Sequence, residues 1–305
     1  MKKTEGLIAA AFTPFHEDGT LNTEMIPILV DKLVKDRLTG VFVCGSNGEG
    51  PDMTTEERMQ VAEAFVRAAN GRLLNIVHVG HSSIAESKKL ARHAASIGAD
   101  SFSSVAAFYF KPLSVENLAD CMAEIAGAAP DLPFYYYHIP ILTGVGMDMI
   151  EFLKYAGKKI PNLAGIKYSS STIHEYQSCL EFDNQKYDVL FGFDELLLPA
   201  LSVGAKGFIG STYTFAAPQF LRTMESFQHN DMEAARKQHS FLVEMIRIIT
   251  RYPSVPAQKA IMKMLGWDMG PCRLPLITFS KAQYDLLFKG LEEISFFEKV
   301  LSAKA

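Results

Sequence analysis

The chain has 305 residues, 48% of them hydrophobic and 21% charged, with a formal net charge of −4. That balance offers no basic field for nucleic acid or an anionic membrane. No run approaches the ~18 consecutive apolar residues of a membrane span. Cys44, Cys121, Cys179 and Cys272 are far apart with no CxxC pair, which reads as reduced thiols in a cytoplasmic protein rather than metal ligands or disulfides.

The N-terminal stretch "MKKTEGLIAAAFTPFHEDG" begins like a signal peptide, but Glu5 interrupts it and Pro14 with "HEDG" ends it. From there, short apolar runs alternate with amphipathic stretches. The runs are "LIAAAF", "TGVFVCG", "LNIVHVG", "DSFSSVA", "PFYYYHI", "LAGIKYS", "YDVLFGF" and "KGFIGS". Their nearly continuous apolarity is that of parallel strands covered on both faces. Between them "NTEMIPILVDKLVKD", "TTEERMQVAEAFVRAA" and "SIAESKKLARHAASIG" carry helical spacing. Thr54 or Thr55 is placed to cap the second helix, and Gly71 and Gly98 to stop the second and third.

Eight strand–helix units in series predict an α/β fold, a closed (β/α)8 TIM barrel, over residues 1–230. A doubly wound sheet would show GxGxxG after its first strand, and none is present. Residues 231–305 read as a helical C-terminal extension packed on the barrel, with the whole chain after the eighth strand helical in character.

In a (β/α)8 barrel the active site lies at the C-terminal ends of the strands. Lys167, in "AGIKYSS", follows a buried run, where an unpaired ammonium is costly. It is either a lysine snorkelling or ion-paired at the strand end, or an amine made nucleophilic by desolvation that forms a Schiff base with a ketone. "GSNGEG", Gly45 to Gly50, lacks the GK[ST] ending of a nucleotide loop. It is either a structural turn or a loop in which Ser46 and Asn47 bind a small carboxylate. Three successive tyrosines in "FYYYHIP" cannot share one face. Tyr137 stands at the strand end, where a proton relay beside the lysine would sit; His138 is either a second such group or, as it reads better, a histidine satisfied within the barrel layer. Asp194 and Glu195 follow the seventh strand, as an acidic helix cap or as acceptors for substrate hydroxyls.

As an ordered set, "GSNGEG", "FYYYHIPILTG", "GIKYSS" and "GFDELLLPALSVGAKGFIGSTYT" resemble the Schiff-base, pyruvate-dependent aldolase family over nearly the whole chain. The resemblance implies that Lys167 is the Schiff-base lysine and Tyr137 the proton-transfer tyrosine. Ser46 and Asn47 would hold the keto-acid carboxylate, with Asn47 where the family usually has Thr. Tyr109, in "AAFYFKP", would complete the relay from an adjacent subunit. No metal or organic cofactor would be required, because the covalent lysine adduct is the electron sink. A homotetramer acting on a small molecule, without nucleic acid or membrane, is the implied assembly.

Within the family, Leu142 stands where dihydrodipicolinate synthases usually carry Arg, and "YYYHIP-x-LTG" is similar to the N-acetylneuraminate lyases. That branch implies reversible cleavage of N-acetylneuraminate to pyruvate and N-acetylmannosamine. It also implies that Ser169, Gly192, Asp194, Glu195, Gly210 and Ser211 bind the polyhydroxylated tail. Another 2-keto acid aldolase, or a non-catalytic pyruvate-binding relative, stays open from the residues alone.

Overall fold

In a computed structural model, which describes residues 3–302, eight parallel strands close in sequence order into a barrel. Met1, Lys2 and the last three residues of the expected extension lie outside the described part. The strands are β1 (Gly6–Ala10), β2 (Gly40–Val43), β3 (Leu74–His78), β4 (Ser101–Val105), β5 (Phe134–His138), β6 (Leu163–Tyr168), β7 (Asp188–Phe191) and β8 (Gly207–Gly210). Ile8 of β1 pairs with Ile209 of β8 to complete the ring. Seven lie within the apolar runs quoted above, and β1 begins one residue before its run, at Gly6.

The alternation of side chains along each strand separates two cores. Ile8, Ala10, Phe42, Ile76, Val105, Tyr135, Tyr137, Leu190 and Ile209 fill the inside of the barrel. Their neighbours, such as Leu7, Ala9, Val41, Val43 and Ile166, pack outward under the helices. Both faces are dry, which is why the runs show no polar alternation.

The surrounding helices are α1 (Met25–Lys35), α2 (Thr55–Ala69), α3 (Ile84–Ser96), α4 (Val115–Ala126), α5 (Pro140–Thr143), α6 (Met149–Lys159), α7 (Ile173–Gln185), α8 (Leu197–Ser202) and α9 (Tyr213–Gln228). Thr54 is the cap of α2, in a capping box with Glu57, so two of the orphan N-terminal amides are satisfied reciprocally. At the other end of α2 the left-handed turn begins one residue before Gly71, at Asn70 with φ 45°.

The C-terminal region is less continuous than the sequence suggests. α10 (Met232–Ile249), α11 (Ser254–Met264), α12 (Lys281–Glu293) and α13 (Phe296–Ser302) are helical, but 265–280 is irregular. Gly266 and Gly270 adopt positive φ there, and Pro271 and Pro275 supply no amide for a helix. Ser295, at φ 56°, separates α12 from α13. α10 packs along α9 and reaches the turn after β7, whereas the 265–280 segment returns to the loop after β1, Phe15 N–H donating to Met269 O at 3.0 Å.

One irregularity aims a side chain. Between β5 and β6 the register steps from Phe134↔Leu163 to Tyr135↔Gly165, leaving Ala164 as an extra residue in β6. A bulge of this kind redirects the side chains beyond it. Ala164 belongs to the inner core, and Lys167, three residues later, still faces inward between Phe42 and Tyr137. Strict alternation from Ala164 would have turned Lys167 outward.

Candidate active site

Lys167 is buried at the C-terminal end of β6, beside Tyr137 on the neighbouring strand. Its Nζ lies 3.8 Å from the ring centroid of Phe42 and 3.8 Å from that of Tyr137. The two π faces attract a cation, but they replace its hydration shell only in part. Burial therefore pulls the Lys167 amine down to about 7, with the Asp194 carboxylate pulling the other way.

Tyr137 packs edge-on to Phe42 and to His78, at 5.4 and 5.6 Å between centroids. Burial pushes its phenol up to about 12, while the Ser46 and Ser169 hydroxyls act to lower it. Ser169 Oγ forms no completed hydrogen bond among the described residues. It is near enough to influence the phenol, and its donor and lone pairs are uncommitted. Ser46 is half-buried and Asn47 buried. Asn47 donates its side-chain N–H to Ala10 O at 3.3 Å, so part of its amide is engaged with the end of β1.

The rim residues after β7 and β8 are tightly fitted. Thr212 donates its backbone N–H and its hydroxyl to Asp194 Oδ2, at 2.9 and 2.6 Å. Burial raises the Asp194 carboxyl to about 6, and the two Thr212 hydrogen bonds hold it back. Asp194 and Glu195 do not cap their own short turn, which has no side-chain cap. Asp194 instead ties the end of β7 to the start of α9. Glu195 is half-buried and its carboxyl is raised by burial. Two glycines have steric reasons to be glycine. A Cβ on Gly192 would lie 2.1 Å from Ser169 Oγ, and one on Gly210 would lie 2.0 Å from Asp194 Oδ1. Ser211 is half-buried, and its carbonyl accepts the Thr214 N–H at 3.2 Å.

Two residues named from the sequence stand elsewhere. Tyr109 is 77% exposed, with its ring against Phe110, outside the buried cluster around Lys167. His138 faces outward from the barrel, tilted over Tyr168 at 5.2 Å. Its Nδ1 has no partner among the described residues, and burial lowers the ring to about 4. It is therefore neutral, and its Nδ1 is not satisfied within the barrel layer as expected.

Phe42, His78 and Thr212 were not singled out from the sequence. His78 Nδ1 donates to Ser103 O at 3.1 Å, which leaves Nε2 as a lone pair. Burial, with Arg58 and Lys167 adding to it, holds the ring well below the usual histidine range. The available signal was strand parity, since Phe42 and His78 each take an inward position near the end of a strand. Among the described residues, no group of three or more His, Cys, Asp or Glu could hold a metal, and no helix is long and apolar enough to cross a membrane.

The dihydrodipicolinate synthetase family model matches residues 3–294. The N-acetylneuraminate lyase of Sus scrofa is 40% identical over 303 residues, covering 97% of this chain and 95% of the pig protein. The structure of N-acetylneuraminate lyase (sialic acid aldolase) from Aliivibrio salmonicida superposes with a TM-score of 0.94 at 41% identity, covering 97% of this chain and 98% of that one. A catalytic lysine mutant of the Ruminococcus gnavus sialic acid aldolase superposes with a TM-score of 0.91 at 28% identity, covering 98% of this chain and 100% of that one.

Proposed function

Because this chain belongs to the dihydrodipicolinate synthetase family, we propose that it is a carbon–carbon lyase that cleaves N-acetylneuraminate reversibly to pyruvate and N-acetylmannosamine. The observation that carries the chemistry is the buried amine of Lys167, lowered to about 7 between two aromatic rings at the end of β6. Near neutral pH about half of such an amine is unprotonated, against a fraction on the order of 10⁻³ or less for an ordinary lysine. The lyases of pig and A. salmonicida, at 40% and 41% identity, supply the substrate. Leu142 fits that choice, since it offers no cation to a second carboxylate.

The open-chain keto acid binds with its carboxylate on the Ser46–Asn47 loop. Neutral Lys167 attacks the C2 ketone, and loss of water yields an iminium. A phenol near 12 is almost wholly protonated at neutral pH, so Tyr137 acts by handing a proton on, not by standing as a phenolate. Its oxygen takes the C4 hydroxyl proton while its own proton passes to the substrate carboxylate, as the C3–C4 bond breaks. The electrons pass into the iminium to give an enamine. Protonation at C3 and hydrolysis then release pyruvate and restore Lys167. The iminium is itself the electron sink, so the reaction calls for no metal or organic cofactor.

Ser169, Gly192, Asp194, Glu195, Gly210 and Ser211 form the tail subsite, with Glu195 and the second oxygen of Asp194 as the acceptors for substrate hydroxyls while Asp194 Oδ2 holds Thr212. Tyr109 acts in a neighbouring subunit of a homotetramer. Its support is the exposed apolar stretch it belongs to, where Phe110, against its ring, and Leu113 are also exposed. Residues 1–230 form the catalytic barrel and 231–305 its extension, in a cytoplasmic enzyme whose four cysteines are free.

The test is pyruvate release from N-acetylneuraminate by the purified protein, coupled to lactate dehydrogenase. Sustained release that disappears in Lys167→Ala supports the assignment. Absence of release, with turnover of a different 2-keto acid, would overturn the substrate and keep the chemistry.

A further inference from the structure

The loop that carries Ser46 and Asn47 is held by a part of the chain more than two hundred residues away. Glu49, at the end of that loop, is buried and left-handed at φ 52°, ψ 32°, a conformation that costs a non-glycine residue energy. Its carboxylate faces no water. Oε1 is ion-paired with Lys259 Nζ of α11 at 2.5 Å, both side chains being buried. Oε2 accepts the backbone N–H of Arg273 at 2.8 Å, across 224 residues.

The same segment grips both neighbouring loops. Lys259 Nζ also donates to Pro271 O at 2.8 Å. Lys259 and Arg273 flank the Phe15 ring, with Nζ at 4.6 Å and Cζ at 4.3 Å from its centroid. Arg273 donates from its guanidinium to Gly19 O and, through two nitrogens, to the Glu57 carboxylate at 2.7 and 2.6 Å. Glu49 is coupled directly to the carboxylate-binding end of its loop. Its N–H donates to Ser46 O at 3.2 Å, and Gly50 N–H donates to Gly45 O at 3.1 Å. Thr13 closes the turn from the other side, donating to Gly48 O at 2.6 Å.

We propose that Lys259 is a positioning residue that, through the buried carboxylate of Glu49, sets the Ser46–Asn47 loop in the geometry that receives the keto-acid carboxylate. Removing one member of a buried ion pair leaves the other charge uncompensated. Without the Lys259 ammonium, the Glu49 carboxylate turns toward water and relaxes from its left-handed conformation. Ser46 moves with it through the Glu49 N–H contact. The helical extension therefore acts on substrate affinity, not only on cover for the core. This rests on the reading of Ser46 and Asn47 as the carboxylate site.

The test uses Lys259→Met and Glu49→Gln, with Lys259→Arg as the conservative variant, in the full-length enzyme. Two readouts are taken: amide hydrogen exchange of residues 45–50 without substrate, and the pyruvate concentration that half-saturates borohydride trapping. Expected for Lys259→Met is faster exchange in 45–50 and a half-saturating concentration raised about tenfold or more, since small misplacements of a binding group are costly. The rate of trapping at saturation should stay within about threefold, and Lys259→Arg should recover much of the affinity. If Lys259→Met does not fold, Glu49→Gln carries the same two readouts. Lower stability with unchanged loop exchange and unchanged half-saturation in the folded variants would overturn the proposal, because a merely structural bridge behaves that way. Failure of wild-type protein to trap pyruvate would refute the aldolase reading. The loop-exchange comparison would still decide whether Lys259 holds the loop.

Discussion

Replacing Lys167 with Met should abolish turnover and at the same time make the protein more stable, by an amount that depends on pH. In the unfolded chain this lysine holds its proton up to its ordinary value of 10.5, whereas in the folded barrel it releases it at about 7. Between those two values the unfolded state binds more protons, so wild-type stability rises with pH across that window. Below it the barrel carries the full cost of a desolvated ammonium. At 1.36 kcal/mol per pH unit, that cost is about 5 kcal/mol at pH 6 and falls to about 2 kcal/mol at pH 9. Met fills similar space with a flexible apolar chain and carries no such cost. The advantage of Lys167→Met over wild type should therefore shrink by about 3 kcal/mol from pH 6 to pH 9. For a protein of this size that is a narrowing of about 5 °C in the difference between melting temperatures. Urea unfolding of both proteins at several pH values measures it, with slopes compared to verify that the same transition is followed. A stability difference that does not change between pH 6 and pH 9 would refute the claim that Lys167 is a desolvated, half-titrated amine.

Tyr137→Phe keeps the aromatic wall beside Lys167 while removing the proposed proton relay, so turnover of N-acetylneuraminate should fall by about 10²–10⁴-fold while the pyruvate adduct still forms on Lys167; near-wild-type turnover sinks the relay role. Gly192→Ala places a methyl 2.1 Å from Ser169 Oγ and must displace that hydroxyl. KM should rise in this variant, and rise less when it is introduced into a Ser169→Ala background; equal increases in both backgrounds would show that the clash lies elsewhere. Asp194→Asn removes the charge that stabilises the Lys167 ammonium, so the acid limb of the pH–rate profile should move to lower pH. An acid limb that stays in place or moves upward contradicts that coupling.

Much of the candidate site was visible in the sequence because a barrel of this type presents its chemistry at one end of every strand. Lys167 and Tyr137 stand at such ends, and their strands pair directly. Phe42 and His78 occupy comparable positions but look like ordinary core residues in a linear reading, since aromatic groups in apolar runs are the rule. Asp194 shows the limit from the other direction. Its acidity was conspicuous, yet its hydrogen-bonding partner, Thr212, lies 18 residues further on. Only the closure of β7 toward β8 brings the two together.

The sequence by itself determined the architecture. Eight dry strands, each nearly continuous in apolar residues and each followed by an amphipathic stretch, can bury both faces of every strand only as a covered parallel sheet, and eight such units in series close on themselves. Local rules narrowed the cap of α2 to Thr54 or Thr55, and the structure takes Thr54, which meets Glu57 within one turn. The tertiary structure alone decided where the decisive side chains point. One extra residue in β6 turns Lys167 into the barrel, the parity of β5 sends His138 out of it, and Lys259 reaches Glu49 across most of the chain. Periodicity is a property of neighbouring residues and can be read along the chain. A bulge register or a buried ion pair depends on which distant segments share a space too small and too dry to leave either charge unpaired.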